Sequence, residues 1–551
     1  MKWLALVLIC LVALVAPATA QRHADLVVYG RVWTGDSARP WAGAVAVRAD
    51  TIVAVGDRRA VRALVGPGTQ VLDNGRALVV PGFGDAHTHF IDGGIQLMSV
   101  DLRDAGSPQE FVRRLASFVR HQRPGRWITG GDWDHERWPG SPLPRHQWID
   151  SVTPDNPVFV SRLDGHMGVA NAVALRLAGI GRQTPDPPGG VIVRDSAGEP
   201  TGVLKDNAMD LVSRLQPEPA SEEADSALAR AMRHAAAHGV TTVHVMSYTW
   251  ADFAAFRRAR ARHALITRIH VYLPIATWRI LADTVRALGR GDDWLSWGGV
   301  KGFMDGSLGS TTAAFYAPYL DVPGSRGLLV TDSAVMRTMI LGADSAGLQV
   351  AVHAIGDRAN AMLLQFFADA IAANGQRDRR FRDEHVQHLR QGDIPRFGAL
   401  GVIASMQPYH VIDDGRWAAK RLDPARLAGS YAFRSLLASG AHLAFGSDWT
   451  VAPLDPVGGL YAAVTRRTLD DRNPGGWYPE QRITLDQALR AYTAGVAYAG
   501  FAEDRAGVLR RGMQADLVLL DRDLFRTPPE QISRARVRAT VVGGRVVYRR
   551  N

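Results

Sequence analysis

Cysteine is almost absent, with one residue, Cys10, in 551. A disulfide framework is therefore excluded, and so is any zinc or iron–sulfur site built on thiolates. Lysine is nearly as scarce: Lys2, Lys205, Lys301 and Lys420 stand against 60 arginines. The arginines are spread along the chain, with no run of five or six like charges. A nucleic-acid binder would more often carry a basic block or stripe, so the net charge of +10 reads as arginine bias and no nucleic-acid partner is expected. Outside the first twenty residues no apolar run is long enough to cross a bilayer. Fixed-period repeats and low-complexity tracts are missing too. With 46% apolar and 21% charged residues the composition is globular, neither disordered nor fibrous. At 551 residues the chain is too long to grow around a single core.

Met1–Ala20 reads as an address. One lysine precedes an apolar run that ends in Ala18-Thr19-Ala20, an A-x-A cleavage pattern. Cys10 lies inside the apolar run, without the small residues that a lipoprotein signal places before its cysteine. Cleavage near Ala20 removes Lys2 alone, so the mature chain begins near Gln21, has no cysteine and carries about +9. Export to a periplasm or the exterior is expected, with no membrane span after cleavage. An uncleaved N-terminal anchor is the alternative.

From residue 236 onward, short apolar runs alternate with Ala- and Arg-rich helical segments. The runs are Val240–Val245, Ile269–Leu273, Val300–Met304, Leu348–His353, Glu384–Gln387, Val402–Met406 and Leu443–Ser447, with helices such as Ser333–Ala346 and Ala359–Ala373 between them. Strand–helix alternation implies parallel strands. Adding Ala77–Val80 with its His-rich end gives eight, the count of a (β/α)8 TIM-type barrel. The gap after the first strand is too long for one helix, so residues of about 101–235 form an inserted lobe rich in Trp, Pro and Gly. The two ends of the chain, Ala24–Gly56 and Ala515–Tyr548, read as antiparallel hairpins. They are expected to pair into one small β-sandwich domain (21–80 with 505–551) beside a barrel domain over 81–504.

The sharpest motif is Pro81-Gly-Phe-Gly-Asp85-Ala-His87-Thr-His89. Residues i and i+2 of a strand share a face, so His87 and His89 can reach one ion from the C-terminal mouth, where barrels present their chemistry. A lone H-x-H is weak. Other strand ends strengthen it: Lys301 in VKGFMDGSLGS, His353 closing LQVAVHAIGD, His385 in RDEHVQHL and Asp448 closing LAFGSDWT. Ionisable groups on apolar runs need partners or must neutralise. A shared metal centre satisfies all of them.

Lys301 stands out in a chain that uses arginine for almost every positive charge. A neutral amine can take up carbon dioxide to form a carbamate, an anionic ligand able to bridge two ions. Burial lowers a lysine pKa and favours that neutral amine. An ion pair with a carboxylate such as Asp305 is the plainer alternative.

The order His-x-His, Lys, His, His, Asp along a barrel resembles the amidohydrolase superfamily. The match is closer to its branch of large YtcJ-like proteins, amidohydrolase family 3, which includes N-substituted formamide deformylases. PGFGDAHTHF, GGDWDHERW, DGHMGVANAVAL, GEPTGVLKDNAM, VKGFMDGSLGSTTAA, VHAIGDRAN, SMQPYH, FGSDWTVAPLDPVGGLYAAVTR and GMQADLVLLD carry the resemblance over roughly 25–548. It implies that His87, His89 and Asp448 bind the more buried ion, that His353 and His385 bind the second, and that carboxylated Lys301 bridges them. Two departures stand near the expected pocket: Thr311 where an Arg commonly follows DGSLGS, and Val245 where an acid often follows the strand-two His.

The implied chemistry is hydrolysis of an amide-like C–N bond in a small molecule by a hydroxide shared between two divalent ions, with zinc expected and Mn, Co, Ni or Fe also compatible. Asp448 is the catalytic acid–base. His166, Trp133 with Asp134, His244, His410 and Trp449 are candidates for substrate contact, with His244 also read as orienting a ligand. Asp305 and Glu384 are expected to orient ligands through hydrogen bonds, Lys205 to make a salt bridge and His388 to be structural. Lactone, carbamate or phosphoester hydrolysis suits the same site, a one-metal deaminase suits it less, and a non-catalytic exported binding or regulatory protein is the competing class. Large exported hydrolases are often dimers, so a homodimer is compatible with this reading, although the sequence does not specify it.

Overall fold

The apolar runs of the middle of the chain become parallel strands because both their faces are covered. In the computed structural model, which describes residues 23–217 and 220–550, eight of them form one sheet. The barrel strands are β1 (Phe83–Thr88), β2 (Val240–Met246), β3 (Arg268–Pro274), β4 (Leu295–Phe303), β5 (Gln349–Ala354), β6 (Arg382–His385), β7 (Ile403–Met406) and β8 (Leu443–Phe445). Each is hydrogen-bonded to the next in chain order. Every residue of β1, β5, β6, β7 and β8 is buried, which explains why these stretches read as near-continuous apolar runs interrupted only by functional groups.

Helices fill the connections. One expected over Ser333–Ala346 spans Ser333–Ser345, begun by the Asp332 carboxylate accepting from the Ala334 and Val335 amides. Another spans Asp357–Asn374 and stops at Gly375, whose φ of 75° continues no helix.

The first strand differs from its sequence reading. Ala77–Val80 belongs to a twelve-residue strand, Gln70–Pro81, of the terminal sheet. The barrel begins after Gly82, with β1 carrying the histidines itself. Both strands are apolar, and one glycine separates two runs that periodicity alone cannot assign to different sheets.

The chain ends build one seven-stranded sheet, in the order Arg545–Arg549, Val537–Val542, Leu517–Leu520, Gln70–Pro81, Leu26–Trp33, Trp41–Arg48, Thr51–Gly56. It folds back on itself. Val45, Val47 and Ile52 share an apolar core with Leu517, Leu519 and Val541, and Thr51 bridges Gln514. The two limbs of this single ribbon face each other as the sheets of a sandwich do.

The inserted lobe holds a six-stranded sheet whose edge strands are Val100–Asp101 and Gly190–Arg194, with its own core around Phe111, Trp133, Trp138 and Val160. Its limit lies before the expected 235. The helix Ser221–Ala237 packs against the helix Phe90–Gln96 and leads into β2, so it belongs to the barrel. Among the described residues no helix is long and apolar enough to cross a membrane. The Met1–Ala20 leader lies outside the described residues.

Candidate metal centre

The C-terminal ends of the strands bring the six expected ligands to one place. His87 sits near the end of β1 and His89 just beyond it. Lys301 lies two residues before the end of β4, His353 one before the end of β5, and His385 closes β6. Asp448 follows β8 in a left-handed conformation (φ 59°), and His385 has φ 80°. Such backbone is costly for residues with a Cβ and recurs where side chains must be aimed at a site.

Ligand atoms of His87, His385 and Asp448 all lie within 4.8 Å of one another. His87 Nε2 is 3.5 Å and His89 Nε2 3.3 Å from Asp448 Oδ1. Lys301 Nζ is 3.2 Å from His87 Nε2. His353 completes the row, its ring 4.5 Å from that of His385 and its Nε2 3.1 Å from the Gly306 carbonyl.

These groups fit divalent ions. Asp448 Oδ1 and His89 Nδ1 are buried without a hydrogen-bond partner. An orphaned carboxylate oxygen facing imidazoles is costly unless a cation satisfies it. Burial holds His87, His353 and His385 well below the usual imidazole range, and neighbouring imidazoles and the Lys301 ammonium add to this. Neutral imidazole is the form that ligates. Burial also pushes Lys301 down to about 8, against the opposing pull of Glu384 and Asp448.

A supporting layer fixes the ligands. Glu384 Oε2 is 2.7 Å from His87 Nδ1, which turns Nε2 toward the centre. Fully buried Arg382 lies 2.7 Å from Glu384 Oε1. Its guanidinium donates to the Ala86 carbonyl at 2.5 Å, Ser405 Oγ at 2.9 Å and Tyr272 Oη at 2.8 Å, and lies 2.8 Å from His244 Nδ1. Gln407 Oε1 is 2.9 Å from His385 Nδ1. Asp305 accepts from the amides of Ala314, Ile355 and Gly356 and lies 3.6 Å from His353 Nε2. It thereby joins the loops after β4 and β5.

A cavity of about 1130 Å³ opens above the ligands and runs between barrel and lobe. His166 and His410 line it, as does Asp134. His166 Nδ1 is 2.7 Å from Asp206 Oδ1, and its ring lies 4.9 Å from that of His353. Three candidates do not reach the cavity. Trp133 is fully buried in the lobe core, donating to the Val160 carbonyl. His244 lies below the site against Arg382, because its side chain joins the layer beneath the mouth. Trp449 is packed behind the centre, stacked on His234 at 4.9 Å. Trp133 and Trp449 sit beside Asp134 and Asp448, and adjacency along the chain does not determine which way a side chain points.

Lys205 makes no carboxylate pair. Its ammonium donates to the Ser310 carbonyl at 2.8 Å and to Thr311 Oγ1 at 3.0 Å, docking the lobe on the loop after β4. His388 is buried against Ser430 Oγ at 2.8 Å, away from the cavity, as a structural residue would be. Sequence reasoning missed Arg382, Gln407, Asp206 and the aromatic wall of Tyr248 and Phe303. Arg382 carried a signal, a charged residue at the start of an apolar strand. Tyr248, stacked on His89 at 4.6 Å, carried none.

A parallel barrel with histidines, a lysine and an aspartate at its C-terminal mouth has its ionisable groups where barrels place their chemistry. The amidohydrolase family profile matches residues 70–548, and the chain belongs to that family. It is 41% identical over 535 residues, covering 95% of this chain and 91% of the relative, to Protein LONG AFTER FAR-RED 3 of Arabidopsis thaliana. It is 28% identical to the N-substituted formamide deformylase of Arthrobacter pascens, over 95% of this chain and 98% of that one. Among solved structures, an uncharacterized metal-dependent hydrolase from Pyrococcus horikoshii OT3 is similar with a TM-score of 0.74 at 28% identity, covering 92% of this chain and 99% of that chain.

Proposed function

We propose that this protein is an exported hydrolase that cleaves an amide-like C–N bond in a small molecule, using two divalent ions, zinc by default, with Lys301 carboxylated between them. The observation that carries the reading is the convergence of His87, His89, Lys301, His353, His385 and Asp448 beneath one cavity. The C–N bond class draws support from the formamide deformylase relative. Export rests on the Met1–Ala20 pattern alone.

When bound, the ions supply a Lewis acid and a nucleophilic water at neutral pH. The chain supplies the rest. Lys301, its ammonium held near 8 by burial, reaches the neutral form needed to take up carbon dioxide. Asp448 would take a proton from the attacking water on the carboxylate oxygen not engaged by an ion and pass it to the leaving nitrogen. General acid–base help of this kind contributes about 10²–10⁴-fold. His166 and His410, at the cavity wall, hold the substrate. No nucleophilic Ser or Cys is needed.

The test is purification without chelator, then metal content and hydrolysis of a panel of N-formyl and N-acyl amines. Hydrolysis that is lost on chelation and restored by zinc is the expected result. Metal bound without turnover of any amide, ester, lactone or phosphoester would favour the second reading, a binding protein on an intact site. That reading draws on the 41% identical relative, whose name is not that of an enzyme.

A further inference from the structure

The barrel is hydrogen-bonded as a ladder at seven of its eight junctions, β8 and β1 being the two ends of the sheet order. This seam matters more than the others, because His87 and His89 come from one side of it and Asp448 from the other. Its upper part is closed by backbone. The Asp448 amide donates to the His87 carbonyl at 2.7 Å, and the His89 amide to the Trp449 carbonyl at 2.6 Å. Below that point the strands are joined by a side chain. Asp85 Oδ1 accepts from the Ser447 amide across the seam at 2.9 Å and from the His87 amide on its own strand at 3.1 Å.

The surroundings are shaped for this carboxylate. Asp85 is 1% exposed. A Cβ at position 446 would stand 2.6 Å from Asp85 Oδ1 and 2.6 Å from the His87 nitrogen, so only glycine lets the carboxylate into the gap.

We propose that Asp85 is a positioning residue whose carboxylate, standing in for a missing backbone rung, sets the distance between the strand that carries His87 and the turn that carries Asp448. One oxygen holds the amide of one ligand residue and the amide preceding the other. That tie and the Asp448–His87 backbone bond together hold the two residues whose Nε2 and Oδ1 stand 3.5 Å apart. Gly446 is the second half of the device. The inference rests on the metal centre proposed above, and its readouts are chosen to fail separately from it.

The experiment compares wild type with Asp85→Asn, Asp85→Ala and Gly446→Ala. Zinc affinity is measured with the metal alone by competition against a chromogenic chelator. Hydrogen exchange is followed in the metal-free proteins for the peptide spanning residues 443–449. Asparagine keeps the Oδ1 acceptor, so Asp85→Asn is expected to bind zinc within about threefold of wild type and to protect the Ser447 amide. Asp85→Ala and Gly446→Ala are expected to lose about 10–100-fold in affinity, the usual cost of removing a group that orients ligands, and to exchange faster across 443–449. A purely structural role would lower melting temperature while leaving zinc affinity untouched in the folded variants, and that result would overturn the proposal. Equal loss in Asp85→Asn and Asp85→Ala would overturn it too, because charge rather than the acceptor would then matter. If wild type binds no zinc, the metal reading fails by itself. Exchange across 443–449 then decides the seam: unchanged protection in Asp85→Ala overturns the tie, and faster exchange there with protection kept in Asp85→Asn supports it. Should Asp85→Ala fail to fold, Gly446→Ala and Asp85→Asn carry the same comparison.

Discussion

Replacing Glu384 by glutamine perturbs one atom at the centre of the supporting layer. Glu384 is fully buried, with one oxygen 2.7 Å from His87 Nδ1 and the other 2.7 Å from Arg382 Nε. Glutamine keeps an acceptor for the imidazole N–H but removes the charge that Arg382 faces. Two magnitudes follow. Breaking a buried pair from one side costs about 3–5 kcal/mol, because the remaining guanidinium stays buried without its counter-charge. The loss is softened by the bonds that Arg382 keeps to Ala86, Ser405 and Tyr272, which places the expected cost at the lower end. For the ions, a less basic imidazole held by a neutral amide should lose about 10–100-fold in affinity, or about 1.4–2.7 kcal/mol. Zinc competition at a temperature where circular dichroism shows the variant folded measures the second, and thermal unfolding of the metal-free protein the first. Zinc affinity within about threefold of wild type in a folded Glu384→Gln protein would refute the idea that the chain from Arg382 through Glu384 to His87 tunes the centre.

Other consequences are independent of that chain. Arg162, 2% exposed, pairs with Asp164 at 2.6 Å and Asp134 at 3.2 Å, so Arg162→Met should cost about 3–5 kcal/mol and speed proteolytic cutting of the lobe before the barrel; a melting temperature like wild type would contradict this. Burial holds His388 near 3 against about 6.5 when unfolded, so the unfolded chain alone takes up a proton as pH falls below 6.5 and the native state loses stability from this group down to about pH 3. The stability gap between wild type and His388→Gln should therefore narrow by about 2 kcal/mol from pH 8 to pH 5, and a constant gap in urea titrations would show that His388 is not a buried neutral imidazole. Removing the ions with a chelator should lower the unfolding free energy by about 4 kcal/mol for each site relative to zinc held at a thousand times that site's Kd, and calorimetry showing no shift would mean that the native state does not bind them.

The barrel was legible because its strands are buried on both faces and appear in the sequence as apolar runs ending in charged groups. Lys301, His353, His385 and Asp448 stood out for being expensive where they were, and the structure gathers them with His87 and His89. What could not be read was direction. Trp133 and Trp449 lie beside Asp134 and Asp448, yet their rings turn into packing, because neighbouring residues on a strand or turn point oppositely. His244 shares a strand phase with the site but stops at the layer of Arg382. Contacts that join distant segments were equally hidden: Gln407 on His385, Asp206 on His166, and Lys205 on the Ser310 carbonyl each depend on a fold that spacing does not specify. The terminal strands were seen, but the border between Pro81 and Phe83, where the chain leaves one sheet for another, has no marker beyond a single glycine.

The central claim, that Lys301 joins two ions, is tested most directly by metal stoichiometry. Mature protein purified without chelator would be compared with Lys301→Ala and Lys301→Arg, each supplied with zinc and bicarbonate. We expect two ions per wild-type chain and one or none in both variants. One ion in all three proteins would contradict a bridging Lys301, and no ion in wild type would contradict the metal centre itself.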